Sequence, residues 1–223
     1  MRDETWELVN GHVADEVENL NRASLVNMTT ALVKSSLLRG LAGTGPMPGE
    51  ADLRLLHHSA TALLLKRPGR YRQCAIHIEE DGAMVFCAQP WKTVKSLMRE
   101  FFADLHTMWG TGDAIEIAAF ALWRITWVHP FVNGNGRTAA AFAYACLCVK
   151  VGAFIPGNPT MLEQILADPD LLRSALRAAD RDYSESRDVA HLDRLKECLD
   201  GLLLRQMNTN EPGGKDARLI SDD

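Results

Sequence analysis

The sequence predicts a mostly α-helical bundle carrying one small β-hairpin. Three observations predict it. Apolar residues recur at three-to-four spacing over most of the chain. Only residues 73–88 read as short β-prone runs, CAIHI and AMVFCA, around an Asp81-Gly82 turn. Two almost wholly apolar stretches, 114–128 and 138–151, flank a single Gly-rich loop and read as helices buried on most sides.

Taken in order, Val13, Val17, Leu20, Leu25, Leu32 and Val33 mark a helix over 12–40, with Arg39 in its last turn and Gly40 as its stop. LAGTGPMPGE is a loop. Leu53, Leu56, Ala60 and Leu64 mark a second helix over 51–66, broken by Pro68-Gly69. After the hairpin, 92–108 reads as helix. Asp113 is the expected N-cap of 114–128. Helices are expected at 159–166, at 169–184 behind the Asp168-Pro169 pair, and at 189–207 with a Leu-rich face. Residues 1–50 are read as an N-terminal helical segment, 51–207 as the core and 208–223 as a polar tail.

Composition narrows the function classes. Hydrophobic residues make up 47% of 223 residues and charged ones 24%, values of a folded globular chain. The net charge of −5 disfavours tracking a nucleic-acid polymer. Five scattered cysteines without a C-x-x-C pair point away from disulfides and zinc, toward a reducing, cytoplasmic setting. No apolar run reaches the ~18 residues of a membrane span, so no membrane partner is expected.

The chemistry concentrates in His129-Pro-Phe-Val-Asn-Gly-Asn-Gly-Arg137. Gly134 and Gly136 precede an apolar helix, and amide N–H groups at such a helix start form an anion-binding nest. Arg137 is a planar cation suited to phosphate, Asn135 an amide donor and His129 a base at the loop's far end. Together they suggest phosphoryl or nucleotidyl transfer. On pattern alone, a plain tight turn with a structural histidine stays open beside that reading. His57-His58, Trp123, Trp127 and Tyr183 read as structural, and His77 with Glu79 as an exposed strand face.

HPFVNGNGR resembles the signature of Fic domains (the Fic/Doc fold), H-P-F-x-[D/E]-G-N-G-R-x-x-R, at His129, Pro130, Phe131, Gly134, Asn135, Gly136 and Arg137. Pro68-Gly-Arg-Tyr71-Arg72 resembles the element ahead of that family's flap hairpin. The resemblance implies transfer of AMP, or another NMP, from ATP or a related NTP to a Ser, Thr or Tyr hydroxyl of a target protein. It implies His129 as general base and Gly134, Asn135, Gly136 and Arg137 as phosphate ligands. It implies a flap, with Ile76, His77, Ile78, Val85 and Phe86, that pairs with the target. A homodimer is compatible with it.

The chain departs from the pattern in three places. Asn133 stands where a carboxylate usually holds Mg²⁺, and an amide oxygen is the weaker ligand. Ala140 replaces the second arginine. Many relatives carry an inhibitory helix with the pattern [S/T]-x-x-x-E-[G/N]; the best match is Ser35-x-x-x-Arg39-Gly40, with Arg in place of Glu. Arg39 is therefore read either as a replacement phosphate cation or as a solvent-facing helix-end charge. The alternative function is a degenerate domain that binds nucleotide or a partner without transfer.

Overall fold

A computed structural model describes residues 11–80, 83–186 and 192–209. Helix α1 (Gly11–Leu41) buries Val17, Leu25, Leu32 and Val33 on one stripe. Helix α2 (Glu50–Thr61) begins where the Asp52 carboxylate accepts the Gly49 N–H at 2.8 Å. It stops one turn short of the expected end. Asn21 of α1 donates its amide to the Ala62 carbonyl at 2.7 Å, and Leu63 turns to a φ of 65°, so the chain leaves the helix there.

Strands β1 (His77–Glu80) and β2 (Ala83–Cys87) form the hairpin, pairing His77 with Cys87 and Ile78 with Phe86. Glu79 then pairs with Met84, so Val85 is skipped and the ladder bulges. The 81–82 turn lies outside the described residues. A 3₁₀ turn at Trp91–Thr93 leads into α3 (Val94–Thr111), which starts two residues and ends three residues later than expected.

Helix α4 (Ala114–Val128) is capped as expected, Asp113 accepting the Glu116 N–H at 2.7 Å. Helix α5 (Asn135–Val151) begins three residues earlier than expected, because Gly134 adopts a φ of 73° and its carbonyl accepts the first helical N–H, from Thr138. Helix α6 (Met161–Ala167) starts on a Thr160/Glu163 capping box. Asp168 caps a 3₁₀ turn, Pro169–Leu172, before α7 (Arg173–Ser186). Helix α8 (Asp193–Asn208) starts later than expected; residues 187–191 and the tail from 210 lie outside the described residues.

The molecule is helical apart from the hairpin. Helices α4 and α5 pack antiparallel along their length at its centre. Ala139, Ala140, Ala141, Ala143 and Ala145 let α5 approach its neighbours closely, while Phe101, Phe120 and Phe142 fill the space toward α3. Helices α1 and α2 cover a further face of α5, so the N-terminal helix is part of the same bundle. All five cysteines are free thiols. Among the described residues no helix is long and apolar enough to cross a membrane.

Candidate active site at the α4–α5 loop

The loop between the central helices is held from both sides. His129 ends α4 in a left-handed conformation (φ 52°, ψ 60°), its N–H donating to the Ile125 carbonyl at 2.9 Å. This conformation is uncommon for a residue with a Cβ. The buried Arg72 holds it there. Its Nε donates to the His129 carbonyl at 2.7 Å, its Nη1 to the Cys74 carbonyl at 2.9 Å, and its Nη2 to the carbonyls of Gln89 and Val128. Its backbone N–H donates to the Pro130 carbonyl at 2.9 Å. One guanidinium thus ties the α4 terminus to both feet of the hairpin.

His57 of α2 supports the other side. Its ring stacks on Phe131 with centroids 3.7 Å apart and planes 9° from parallel. Its Nδ1 accepts the Gly69 N–H at 2.7 Å, so the proton sits on Nε2, which donates to the Asn133 carbonyl at 2.9 Å. Burial, the main cause, lowers the His57 pKa to about 4, and the neutral ring this network needs is the form present at neutral pH. The sequence alone suggests nothing for His57 beyond a structural position. Its role depends on the loop lying against α2, which no local pattern announces.

The His129 ring is also neutral. Burial lowers its pKa to about 4, the Thr126 carbonyl partly counteracts this, and the nearby Arg72 charge adds to the lowering. Phe86 of the hairpin contributes cover, its ring centroid 5.1 Å from the imidazole. A neutral imidazole at the end of a buried helix is the protonation state a general base requires.

At the other end of the loop, the N–H groups of Asn135, Gly136 and Arg137 precede the first intrahelical bond of α5. The Asn135 side chain does not add to them. Its amide oxygen accepts the Phe131 N–H and its NH₂ donates to the Phe131 carbonyl, both at 2.9 Å. It is a buried brace that shapes the loop, leaving only its backbone N–H to face an anion. Asn133 turns its side-chain oxygen onto the Gly134 N–H at 2.6 Å. That oxygen is spent, and no group of three or more His, Cys, Asp or Glu that could hold a metal ion occurs among the described residues. The residues present therefore do not fit a dedicated Mg²⁺ site.

Arg137 is mostly buried and runs back toward α1, where its Nη1 lies 3.6 Å from a Glu18 carboxylate oxygen. The same oxygen receives Arg22 Nη2 at 3.0 Å. One carboxylate thus bridges two guanidiniums, and Arg22 Nε and Arg137 Nη1 remain buried without a hydrogen-bond acceptor.

The sequence profile of the Fic/DOC family matches residues 48–147, which contain the loop, the hairpin and both central helices. Over those residues, somewhat under half of the chain, the protein is similar to the Fic/DOC family. A Fido domain-containing protein of Dictyostelium discoideum is 38% identical over 76 residues, 34% of this chain and 48% of that protein. The matched segment therefore spans about half of that relative. Fic-1 of C. elegans (residues 134–508) superposes with a TM-score of 0.62 at 17% identity, covering 91% of this chain and 54% of the worm fragment. A Fic domain-containing signalling protein of Bacteroides thetaiotaomicron superposes with a TM-score of 0.58 at 15% identity, covering 83% and 71%. At these identities the two structures speak for the shared fold alone.

Within this Fic fold, two expectations about α1 need correcting. Arg39 does not enter the site. Its guanidinium folds back onto the hydroxyls of Ser36 at 2.8 Å and Ser35 at 3.4 Å. It lies twenty-one residues beyond Glu18 on one continuous helix, about 30 Å away at the α-helical rise. The SSLLRG segment is therefore not what reaches the loop. Glu18 reaches it, and the signal was in the sequence: Ala14-x-x-x-Glu18-Asn19 fits the Glu-[Gly/Asn] end of the inhibitory pattern, with Ala in the place of Ser or Thr.

The hairpin stands over the loop as the resemblance implies, but its residues divide. Ile76 is buried beneath it and its carbonyl accepts the Ala88 N–H at 3.1 Å, so Ile76 does not face outward. His77 is exposed, and Phe86 packs on the base. Ile78 pairs with Phe86 in the ladder and Val85 falls at the bulge, and their side chains lie outside the described residues. Trp123 and Tyr183 pack on one another between α4 and α7, with Trp123 Nε1 donating to Asp180 at 3.0 Å, away from the loop.

Proposed function

We propose that this Fic domain binds a nucleoside triphosphate at the start of α5 and transfers its nucleoside monophosphate to a protein hydroxyl presented along the hairpin. One observation carries the reading: a neutral, half-buried His129 held at one end of a loop whose other end offers three amide N–H groups ahead of the first helical bond, and Arg137. In the step, the imidazole takes the hydroxyl proton as that oxygen bonds to the α-phosphorus. The bond from that phosphorus to the pyrophosphate oxygen breaks, and pyrophosphate leaves with the electron pair. Glu18 occupies Arg137 in the resting chain and competes with the phosphates for it. The test is incubation of wild type, Glu18→Ala and His129→Ala with labelled ATP, CTP, GTP and UTP. Label should pass to protein with wild type or Glu18→Ala and fall by about 100-fold or more in His129→Ala.

A second reading has its own support. The spent oxygen of Asn133 and the fully buried Ala140 leave the phosphates with fewer ligands than the motif usually provides. On this reading the site binds nucleotide without transfer. Saturable ATP binding with no label passed by Glu18→Ala would favour it.

A further inference from the structure

The chain is acidic overall, yet the surface across the loop from Arg137 is basic. Two cavities meet there. One, of about 220 Å³, lies between α2 and α3 and is lined by Glu50, Arg54, Tyr71, Lys95 and Arg99. The other, of about 50 Å³, is lined by Arg67, Arg70, Tyr71, Arg72, Gln73 and Val132. Tyr71 borders both, so they are neighbours, together called the groove. Val132 belongs to the loop that begins at His129 and Gln73 lies just ahead of β1, so the smaller cavity adjoins both, while Lys95 and Arg99 bring the larger one to α3.

Its chemistry is one-sided. Lys95 and Arg99 stand one turn apart on α3, both exposed. Arg54 lies 4.7 Å over the Tyr71 ring. Arg70 is exposed on the turn after Gly69. Arg72 is spent on carbonyl groups. The one carboxylate in either lining is Glu50, 3.7 Å from Arg54. The Tyr71 hydroxyl is buried beside Glu50 without a hydrogen bond of ordinary length. Cations therefore outnumber the acid on the walls.

We infer that this groove docks an acidic segment of a protein, a stretch rich in Asp or Glu, next to the hydroxyl-bearing residue that the hairpin presents. Carboxylates would meet Lys95, Arg99 and Arg70, while the peptide backbone continues along the hairpin edge. A nucleic-acid strand fits less well. The single aromatic ring in the groove is covered by Arg54, so no stacking platform is offered. The position of this segment relative to a hydroxyl rests on the transfer reading above; the groove's preference for acid does not.

The test is fluorescence anisotropy on the full chain. Probes are a labelled peptide of alternating Glu and Ser, its Gln/Ser counterpart and a labelled single-stranded oligonucleotide. Wild type should bind the Glu/Ser peptide about tenfold tighter than the Gln/Ser one, with the preference lost at high salt. Lys95→Glu/Arg99→Glu, and separately Arg70→Glu, should each lose most of that preference and keep ATP affinity within about twofold of wild type. All three positions are exposed, and thermal melts verify folding. Equal affinity for the two peptides, no effect of either charge reversal, or tighter binding of the oligonucleotide overturns the inference. Absence of nucleotide transfer bears on the proposed function alone and leaves the peptide result readable.

Discussion

The Glu18 carboxylate lies 3.6 Å from the Arg137 guanidinium, across the join between α1 and the start of α5. An anion already held at the phosphate cation must be displaced before a nucleotide can use it. Glu18 is partly exposed, so solvent screens the pair and its worth is about 1 kcal/mol or less. Glu18→Ala should therefore raise ATP affinity by up to about fivefold in isothermal titration. Arg22→Ala should lower affinity, because a buried donor facing the same spot is removed. Arg39→Ala should change nothing, since Arg39 lies at the far end of the helix.

Arg72 joins four carbonyl groups from three segments of chain. Arg72→Ala strands them, and hydrogen bonds to a charged donor contribute about 1.5–3 kcal/mol each at most. Loss of 3 kcal/mol or more in urea unfolding is expected. Arg72→Lys should recover little, because an ammonium cannot reproduce the fork.

Two neutral histidines, His57 buried and His129 half-buried, make the fold acid-sensitive. His57 and His129 each fall to about 4 from an ordinary value of 6.5. Both folded-state values are depressed, so the unfolded chain binds more protons between those limits. The stability is complete above pH 6.5 and is lost as pH falls from 6.5 toward 4. Each histidine can account for on the order of 3 kcal/mol across that window. Urea midpoints at pH 7.5 and 4.5 test this; His129→Ala should shrink the difference between them. The same shift predicts that transfer has no inflection near pH 6.5.

Gly134 is a tight point. It holds a φ of 73°, and a Cβ there would meet Thr61 Cγ2 at 2.5 Å. Gly134→Ala should cost about 2–3 kcal/mol and weaken ATP binding by moving the first turn of α5. Adding Thr61→Ser removes the clashing methyl and keeps the hydroxyl that donates to the His57 carbonyl. It should restore part of the stability, the remainder being backbone strain, as read by thermal melting.

The parts legible from sequence were those written locally. The apolar runs of α4 and α5, the Asp113 cap and the Gly-Asn-Gly turn each carry their reason within a few residues. The early end of α2 does not, because its cause is Asn21, forty-one residues away in the chain. His57 gave no signal for the same reason: its partners are Gly69 and Asn133. In α1 the local pattern favours Ser35, the one match there with a Ser or Thr at its start, while the packing of α1 along α5 decides which turn meets the loop. That turn carries Glu18.

Ala140 gives the site a direction of change that is hard to reverse. It sits one turn into α5, fully enclosed, with Ala139 and Ala141 equally enclosed beside it. An arginine restored there would need room for its stem and water for its charge, and the closed helix interface supplies neither. The helices that enclose it would have to move apart. With that position sealed, the cation that stands closest to the Arg137 partner is supplied by α1, where Arg22 shares the Glu18 carboxylate with it.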